Sequence, residues 1–280
     1  MAVWENIEWF DARKRKEQLD EHIERTGMAR FGNNKLERSE KVNTVAGHFN
    51  RVAPKYDLMN SILSIGLQHA WKRASVRLMN IRPGDRVIDV CGGTGDLAII
   101  AARQAGPIAA RQAGPSGQVV IYDFNRAMMN AGRAKTSSGM EIAPITHVQG
   151  DAECIAFPDN TFEAAMVGFG IRNVTHLQKG FSEMHRVLRP GGKIMCLDFS
   201  KPTNPFFRGL YDFYSFNVMP LLGGLIVGSA QSYACLSETI RMFPLPDELS
   251  AILEKIGFEK VHYKRMTNGI AVAHVGKKSS

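Results

Sequence analysis

Residues 86–96 read R-V-I-D-V-C-G-G-T-G-D. Branched apolar residues cluster over 86–90, as they do in a buried parallel strand. Gly92, Gly93 and Gly95 then make a turn, and a helix-competent run covers 97–103. Glycines let the backbone turn sharply and let a ligand lie against main-chain N–H groups, with no Cβ in the way. A strand, a glycine turn and a helix N-terminus together form the ligand-binding corner of a doubly wound α/β sheet. The stretch therefore points to a nucleotide-type cofactor held at the turn.

Downstream, the same alternation repeats. Residues 118–123 (Q-V-V-I-Y-D) read as a second strand ending in an acid, 127–134 as a helix, and 145–148 as a third strand before Gln149-Gly150-Asp151. A fourth strand covers 163–168, and a helix over 177–188 is stopped by Arg189-Pro190-Gly191-Gly192 ahead of a fifth strand at 193–199. This spacing predicts a parallel sheet with helices on both faces. Residues 260–263 and 269–275 read as an antiparallel closing pair at the sheet edge. Upstream, 44–80 has helical periodicity (Val45, Phe49, Val52), interrupted at Pro54.

Three segments stand outside the alternation. Residues 1–41 pair a few aromatics with a dense mixed-charge run and read as an N-terminal helical extension, with a break at Gly27 and at Gly32 to Asn34; residues 42–280 form the main domain. The octapeptide I-A-A-R-Q-A-G-P at 100–107 is repeated without change at 108–115, where Gly106-Pro107 should end the helix and the second copy should lie outside the core. Residues 206–246 are aromatic and then apolar. Core helices and a cap over a greasy substrate both account for them. Their apolar stretch, 218–227, is short of the roughly 20 residues that cross a bilayer.

With 280 residues, 44% of them apolar, the chain can bury a large core. Its four cysteines are far apart, without metal or redox spacing, so no metal site is expected. A net charge of +8 suits an anionic membrane surface. It does not suggest nucleic acid, since no basic face interleaved with aromatics is present. The N-terminus lacks the apolar core of a signal peptide, so the expected location is the cytoplasm, at most peripheral on the inner face of the membrane.

The choice of cofactor follows from the turn. A dinucleotide site reads G-x-G-x-x-G with an acid about 20 residues on; here the third glycine is missing. Asp123 lies 28 residues past Gly95, or 20 without the duplicated eight, and suits a ribose of either NAD or S-adenosylmethionine. Asp96, directly after the turn, would repel a pyrophosphate and tolerate a cationic sulfonium or amino-acid head group. Asp151-Ala152 stands where an adenine amino group could be read. Together these favour S-adenosylmethionine, with an NAD-type oxidoreductase as the alternative of another class.

At this point the chain resembles a known family. Y-D-L-M-N (56–60), W-K (71–72), D-V-C-G-G-T-G-D (89–96), F-G-I-R-N-V-T (169–175), R-P-G-G (189–192) and D-F-S-K-P (198–202) stand in order. Y-D-F-Y-S-F (211–216), S-E-T-I-R (237–241) and T-N-G-I (267–270) follow. From about residue 44 to the C-terminus it is similar to the UbiE/COQ5 family of quinone-biosynthesis C-methyltransferases. The resemblance implies a class I S-adenosylmethionine-dependent methyltransferase: α/β, a Rossmann-like seven-stranded sheet with helices on both faces, and 206–246 as a cap or substrate insertion. It implies cofactor contacts at Gly92, Thr94, Asp123, Asp151 and Ala152. Gly168 stands where a serine is common, Cys91 where alanine is usual and Asp198 where glutamate is usual.

The implied acceptor is a prenylated quinol: demethylmenaquinol in menaquinone biosynthesis, or alternatively 2-methoxy-6-polyprenyl-1,4-benzoquinol in ubiquinone biosynthesis. Methylating a ring carbon needs the ortho hydroxyl deprotonated or nearly so, and a site that aligns reactants and excludes water. Arg172 and Asn173 are the candidates to touch that oxygen. Arginine is too basic for an ordinary general base, so Arg172 is read as a phenolate stabiliser. His176 is read as an exposed cap residue, and Tyr56 and Tyr211 as pocket lining or core. Expected partners are the quinol, the membrane surface, and either a second copy of the chain or other quinone-pathway enzymes. A non-catalytic adaptor on the same fold is a third reading.

Overall fold

The computed structural model describes residues 9, 15–17, 19–106, 117–136 and 142–280. Seven strands form one sheet in the order β5-β4-β3-β6-β7-β9-β8, where β3 is Arg86–Val90, β4 Gln118–Asp123, β5 Ile145–Gln149, β6 Phe162–Gly168, β7 Leu188–Phe199, β8 Phe258–Met266 and β9 Ala271–Lys278. The first five in that order are parallel. β9 runs antiparallel to β7, and β8 antiparallel to β9 at the edge. The expected sheet and its closing pair are both present.

Strand side chains alternate between two cores, as period-two geometry requires. Val87, Ile121, Met166 and Met195 face one side, under Trp71, Val76 and Met79 of α4 (Leu67–Met79) and Leu97 and Ala101 of α5 (Asp96–Ala105). Ile88, Val120, Ala165 and Ile194 face the other, under Phe181 and Met184 of α7 (Leu177–Val187) and Leu249 and Leu253 of α11 (Pro246–Ile256). From β3 the chain winds one way to β4 and β5, then returns to β6 on the other side. The carboxyl ends of β3 and β6 thus flank the switch point where such sheets bind ligands.

Before β3 the chain makes α1 (Asp20–Thr26), an antiparallel hairpin of β1 (Met28–Phe31) and β2 (Asn34–Glu37), and then α2 (Arg38–Val52) and α3 (Tyr56–Leu63) ahead of α4. The extension over 1–41 is therefore not all helix. The break read at Gly32 to Asn34 is a hairpin turn, and Gly32 adopts the left-handed φ of 61° that such a turn needs. Helix α2 runs through positions 41 and 42 without interruption.

α6 (Arg126–Thr136) follows β4. α5 ends at Ala105 with Gly106 beyond it, as expected; the second copy of the octapeptide lies outside the described residues. After β7 come α8 (Pro205–Phe213), a π-helical turn (Tyr214–Val218), α9 (Met219–Val227) and α10 (Ala230–Met242). The first three are one continuous 23-residue helix with a mean hydropathy of 1.3 in its apolar window, long enough by length and composition to cross a membrane. Its apolar part alone is short of a bilayer's thickness, as expected; the whole helix reaches that length because the aromatic and aliphatic stretches join end to end.

Candidate active site

The glycine turn owes its shape to two pressures. Cys91 holds a left-handed φ of 53°, and Gly93 and Gly95 have φ of 53° and 82°. Phe169, at the end of β6 beside it, is also left-handed at 59°. Non-glycine residues in this region are uncommon and concentrate where the surroundings impose them. The imposing contact is visible: Gly170 lies so close to Cys91 that any Cβ on it would collide with the cysteine's own. On the other flank Gly132 of α6 packs on the Thr94 backbone, again leaving no room for a Cβ.

Around this turn is a cavity of about 330 Å³. Gly92, Thr94, Asp123, Asp151 and Ala152 all line it, so the five expected cofactor contacts are brought together. Asp123 is buried at the end of β4, accepting the Gly93 N–H at 2.8 Å and the Asn125 N–H at 2.7 Å. Burial pushes its carboxyl up to about 6 despite those two donors. Asn125 accepts the Met128 N–H at 2.9 Å, capping α6, and donates its amide to Asn50 at 2.9 Å, which ties α2 to the loop. Asp151 accepts the Glu153 N–H at 2.9 Å, so its turn role and its place in the cavity wall coexist.

Two residues need correction. Asp96 does line the cavity, but its charge is taken up by lysines: Lys72 donates to it at 2.7 Å, and Lys135 makes a second, shorter pair. Burial pushes Asp96 up, and the two ammonium groups outweigh it and hold the carboxyl down to about 2. An acid neutralised in this way does not discriminate between ligand charges. His176 is buried, not an exposed cap: its ring Nδ1 lies 2.5 Å from Glu153 at the start of α7, and it lines neither cavity described here.

A second cavity, about 420 Å³ and largely apolar, adjoins the first. Phe49, Tyr56, Phe169 and Asn173 line both. Arg172, Tyr211 and Trp71 line the second alone. Arg172 is buried, donates from Nη1 to Asp198 at 2.7 Å, and lies 5.6 Å from the centre of the Phe199 ring. Its Nε, Asn173 Nδ2, Asp198 Oδ2 and Ser200 Oγ are buried with no hydrogen-bond partner among the described residues. Four unpaired polar atoms, all from residues 172–200, are costly unless a polar ligand meets them.

Three features escaped the sequence reading. Asp89 lines the first cavity with Oδ1 unpaired, and burial pushes it up to about 8. Its signal was an acid inside an apolar strand. His48 lines the second cavity, and burial, with Arg172 and Arg51 nearby, lowers it to about 4 and keeps it neutral. Asp57 accepts the Thr94 hydroxyl at 2.6 Å and Lys135 Nζ at 2.6 Å, fastening α3 to the glycine turn; no local signal announced that pairing.

The residues fit S-adenosylmethionine. The first cavity offers a buried carboxylate for a ribose, Asp89 with an open oxygen, and a turn free of Cβ atoms. Gly92 is held to glycine there, because a Cβ would lie 3.0 Å from the Asp89 carboxylate oxygen and 2.8 Å from the Asp89 carbonyl oxygen.

Comparison with known proteins bears on the family and the fold. The model of the ubiE/COQ5 methyltransferase family matches residues 35–278. The ubiquinone/menaquinone biosynthesis C-methyltransferase UbiE of Teredinibacter turnerae is 43% identical over 249 residues, 89% of this chain and 97% of its own. The protein of the same name from Pseudomonas entomophila is 44% identical over 258 residues, covering 92% and 97%. Among solved structures, a SAM-dependent methyltransferase of Thermotoga maritima superposes with a TM-score of 0.57 at 16% identity, covering 83% of this chain and 99% of that one; this likeness concerns the fold.

Proposed function

The chain belongs to the ubiE/COQ5 methyltransferase family, and from that premise we propose that it methylates a ring carbon of a prenylated quinol, with demethylmenaquinol as the acceptor. It is an S-adenosylmethionine-dependent C-methyltransferase of ubiquinone/menaquinone biosynthesis. The observation that carries the acceptor reading is the junction of two cavities: a polar, glycine-lined one meets an apolar one at Phe49, Tyr56, Phe169 and Asn173.

S-adenosylmethionine supplies an electrophilic methyl group on a sulfonium. Gly92, Thr94, Asp123, Asp151 and Ala152 would hold it, with Asp123 as ribose acceptor. Phe169 and Phe199, whose ring centres are 4.6 Å apart with the rings inclined at 37°, give the second cavity an apolar aromatic wall suited to a quinol ring. Arg172 and Asn173, which line the second cavity with Nε and Nδ2 unpaired among the described residues, would meet the quinol oxygen. Arg172 would stabilise the phenolate while the hydroxyl proton leaves to water, and the low-polarity surroundings strengthen the arginine's interaction. The ortho carbon then takes the methyl group and gives up its own proton, the oxygen being reprotonated as the ring regains aromaticity. Asp198 keeps the guanidinium oriented. The names of the relatives carry both pathways, which favours the methoxy-benzoquinol as the second reading.

The test is a methylation assay on Arg172→Ala with donor affinity measured alongside. Turnover should fall by about a hundredfold or more with donor affinity unchanged; normal turnover removes Arg172 from the mechanism. The two quinols run side by side decide the ring. The mass of the quinone that accumulates when the protein is removed from its host gives an independent answer, expected to be demethylmenaquinone.

A further inference from the structure

The continuous helix Pro205–Val227 has two unlike sides. Its inner side is fastened to the body: the Tyr214 hydroxyl donates to the Leu63 carbonyl at 2.9 Å, Ser237 donates to the Ser215 carbonyl at 2.8 Å, and Gly223 lies against the Tyr233 ring with no space for a Cβ. Its outer side bears Phe206, Leu210, Phe213, Leu221 and Leu225, each between 54% and 77% exposed. In an unbroken α-helix the step from Phe213 to Leu221 would swing the last two about 80° away from the first three. The π-helical turn Tyr214–Val218 acts as one extra residue in the spiral and takes back about 100°. All five side chains therefore form one row.

The row borders the mouth of the second cavity, where Phe207 and Leu210 face Ile65 and Leu67, all four of them exposed. The acids on these elements are already engaged, Asp57 with Lys135 and Asp212 with Arg241. Charge along the margin is thus set by Arg51, near the cavity-lining His48, and by Lys55, which donates to the Ile226 carbonyl at 2.5 Å at the end of the row. A contiguous exposed apolar face of this kind marks an interaction surface, and its cationic margin selects for negative charge.

We propose that this face beds into an anionic bilayer surface, with the helix lying in the plane of the interface and the mouth of the second cavity opening toward the acyl chains. The helix does not cross, because its inner side is packed on the protein. An apolar face with a cationic border is the pattern of interfacial helices. The docking follows from the surface alone; the purpose of the open mouth rests on the prenylated-quinol reading above.

The experiment is flotation of the full chain with vesicles of phosphatidylcholine, with and without phosphatidylglycerol and free of any quinone. The comparison is Leu221→Gln/Leu225→Gln, residues that line neither cavity. The native chain should float with the anionic vesicles, and the variant should lose about tenfold or more of that binding while methylating a short-tailed quinol at the native rate. Should the double variant not fold, as judged by its near-ultraviolet circular dichroism, Phe213→Gln takes its place. Equal flotation of native and variant chains, or no flotation of the native chain, overturns the proposal. So does a dimer in sedimentation velocity that the variant splits, since a second copy would then cover the face. Failure of the native chain on the short-tailed quinol would strike the proposed function and leave the flotation result standing.

Discussion

At the scale of single residues, the two carboxyls beside the glycine turn set how the site responds to pH. Asp123 titrates at about 6 and Asp89 at about 8, both raised by burial, so at neutral pH the first is charged and the second carries its proton. In the proposed role of ribose acceptor Asp123 works best as the carboxylate, because protonation turns one of its two oxygens into a donor and leaves the other a weaker, neutral acceptor. Donor affinity should therefore fall below about pH 6, by up to about tenfold per unit, as Asp123 takes up its proton. Calorimetry with S-adenosylhomocysteine from pH 5 to 9 reads this directly. Asp123→Asn should bind more weakly and lose the acid limb; an acid limb that persists in the variant would assign the titration elsewhere.

At the scale of elements, α3 is latched to the donor turn. Asp57 takes a hydrogen from the Thr94 hydroxyl and another from Lys135, and its neighbour Tyr56 lines both cavities. The latch joins the segment that walls the acceptor to the loop that holds the donor. Asp57→Ala should weaken donor binding by about fivefold, a modest figure because the pair is partly solvated. It should also raise amide hydrogen exchange across 56–63 above the native rate. Weaker binding with native exchange would mean that Asp57 acts on Thr94 alone and does not fasten the helix. The π-helical turn belongs to this scale as well. Its five residues decide which way the last two turns of the long helix face, and with them what surface the protein offers.

At the scale of the whole molecule, the duplicated octapeptide is an addition to a closed framework. Gly117 packs against the Ala105 carbonyl and the Asp85 carbonyl, so the chain on either side of 107–116 is already adjacent in space. Removing 108–115 should leave thermal stability within about 0.5 kcal/mol and leave turnover unaltered, since loop length enters stability only through a slowly varying closure entropy. Calorimetric melting of the shortened chain checks this, and a large loss would show that the second copy packs on the core.

The sheet was legible in the sequence because its causes are local. A β-branched run, a glycine turn and a helical period each lie within a dozen residues, and their alternation dictates a parallel sheet. The gathering of Gly92, Thr94, Asp123, Asp151 and Ala152 around one cavity was legible for the same reason: all sit at or just past strand ends, which this topology brings to one edge. Asp96 was misread because the lysines that neutralise it lie 24 and 39 residues away. His176 was misread because Glu153, 23 residues earlier, buries it. The Arg172–Asp198 pair, the Asp57–Thr94 latch and the meeting of the two cavities span 26 residues or more. Periodicity and spacing report which way a side chain leaves its own strand or helix. Which partner it then meets depends on how the elements pack, and for the pairing of Arg172 with Asp198 and the row along Pro205–Val227 only the tertiary structure decided that.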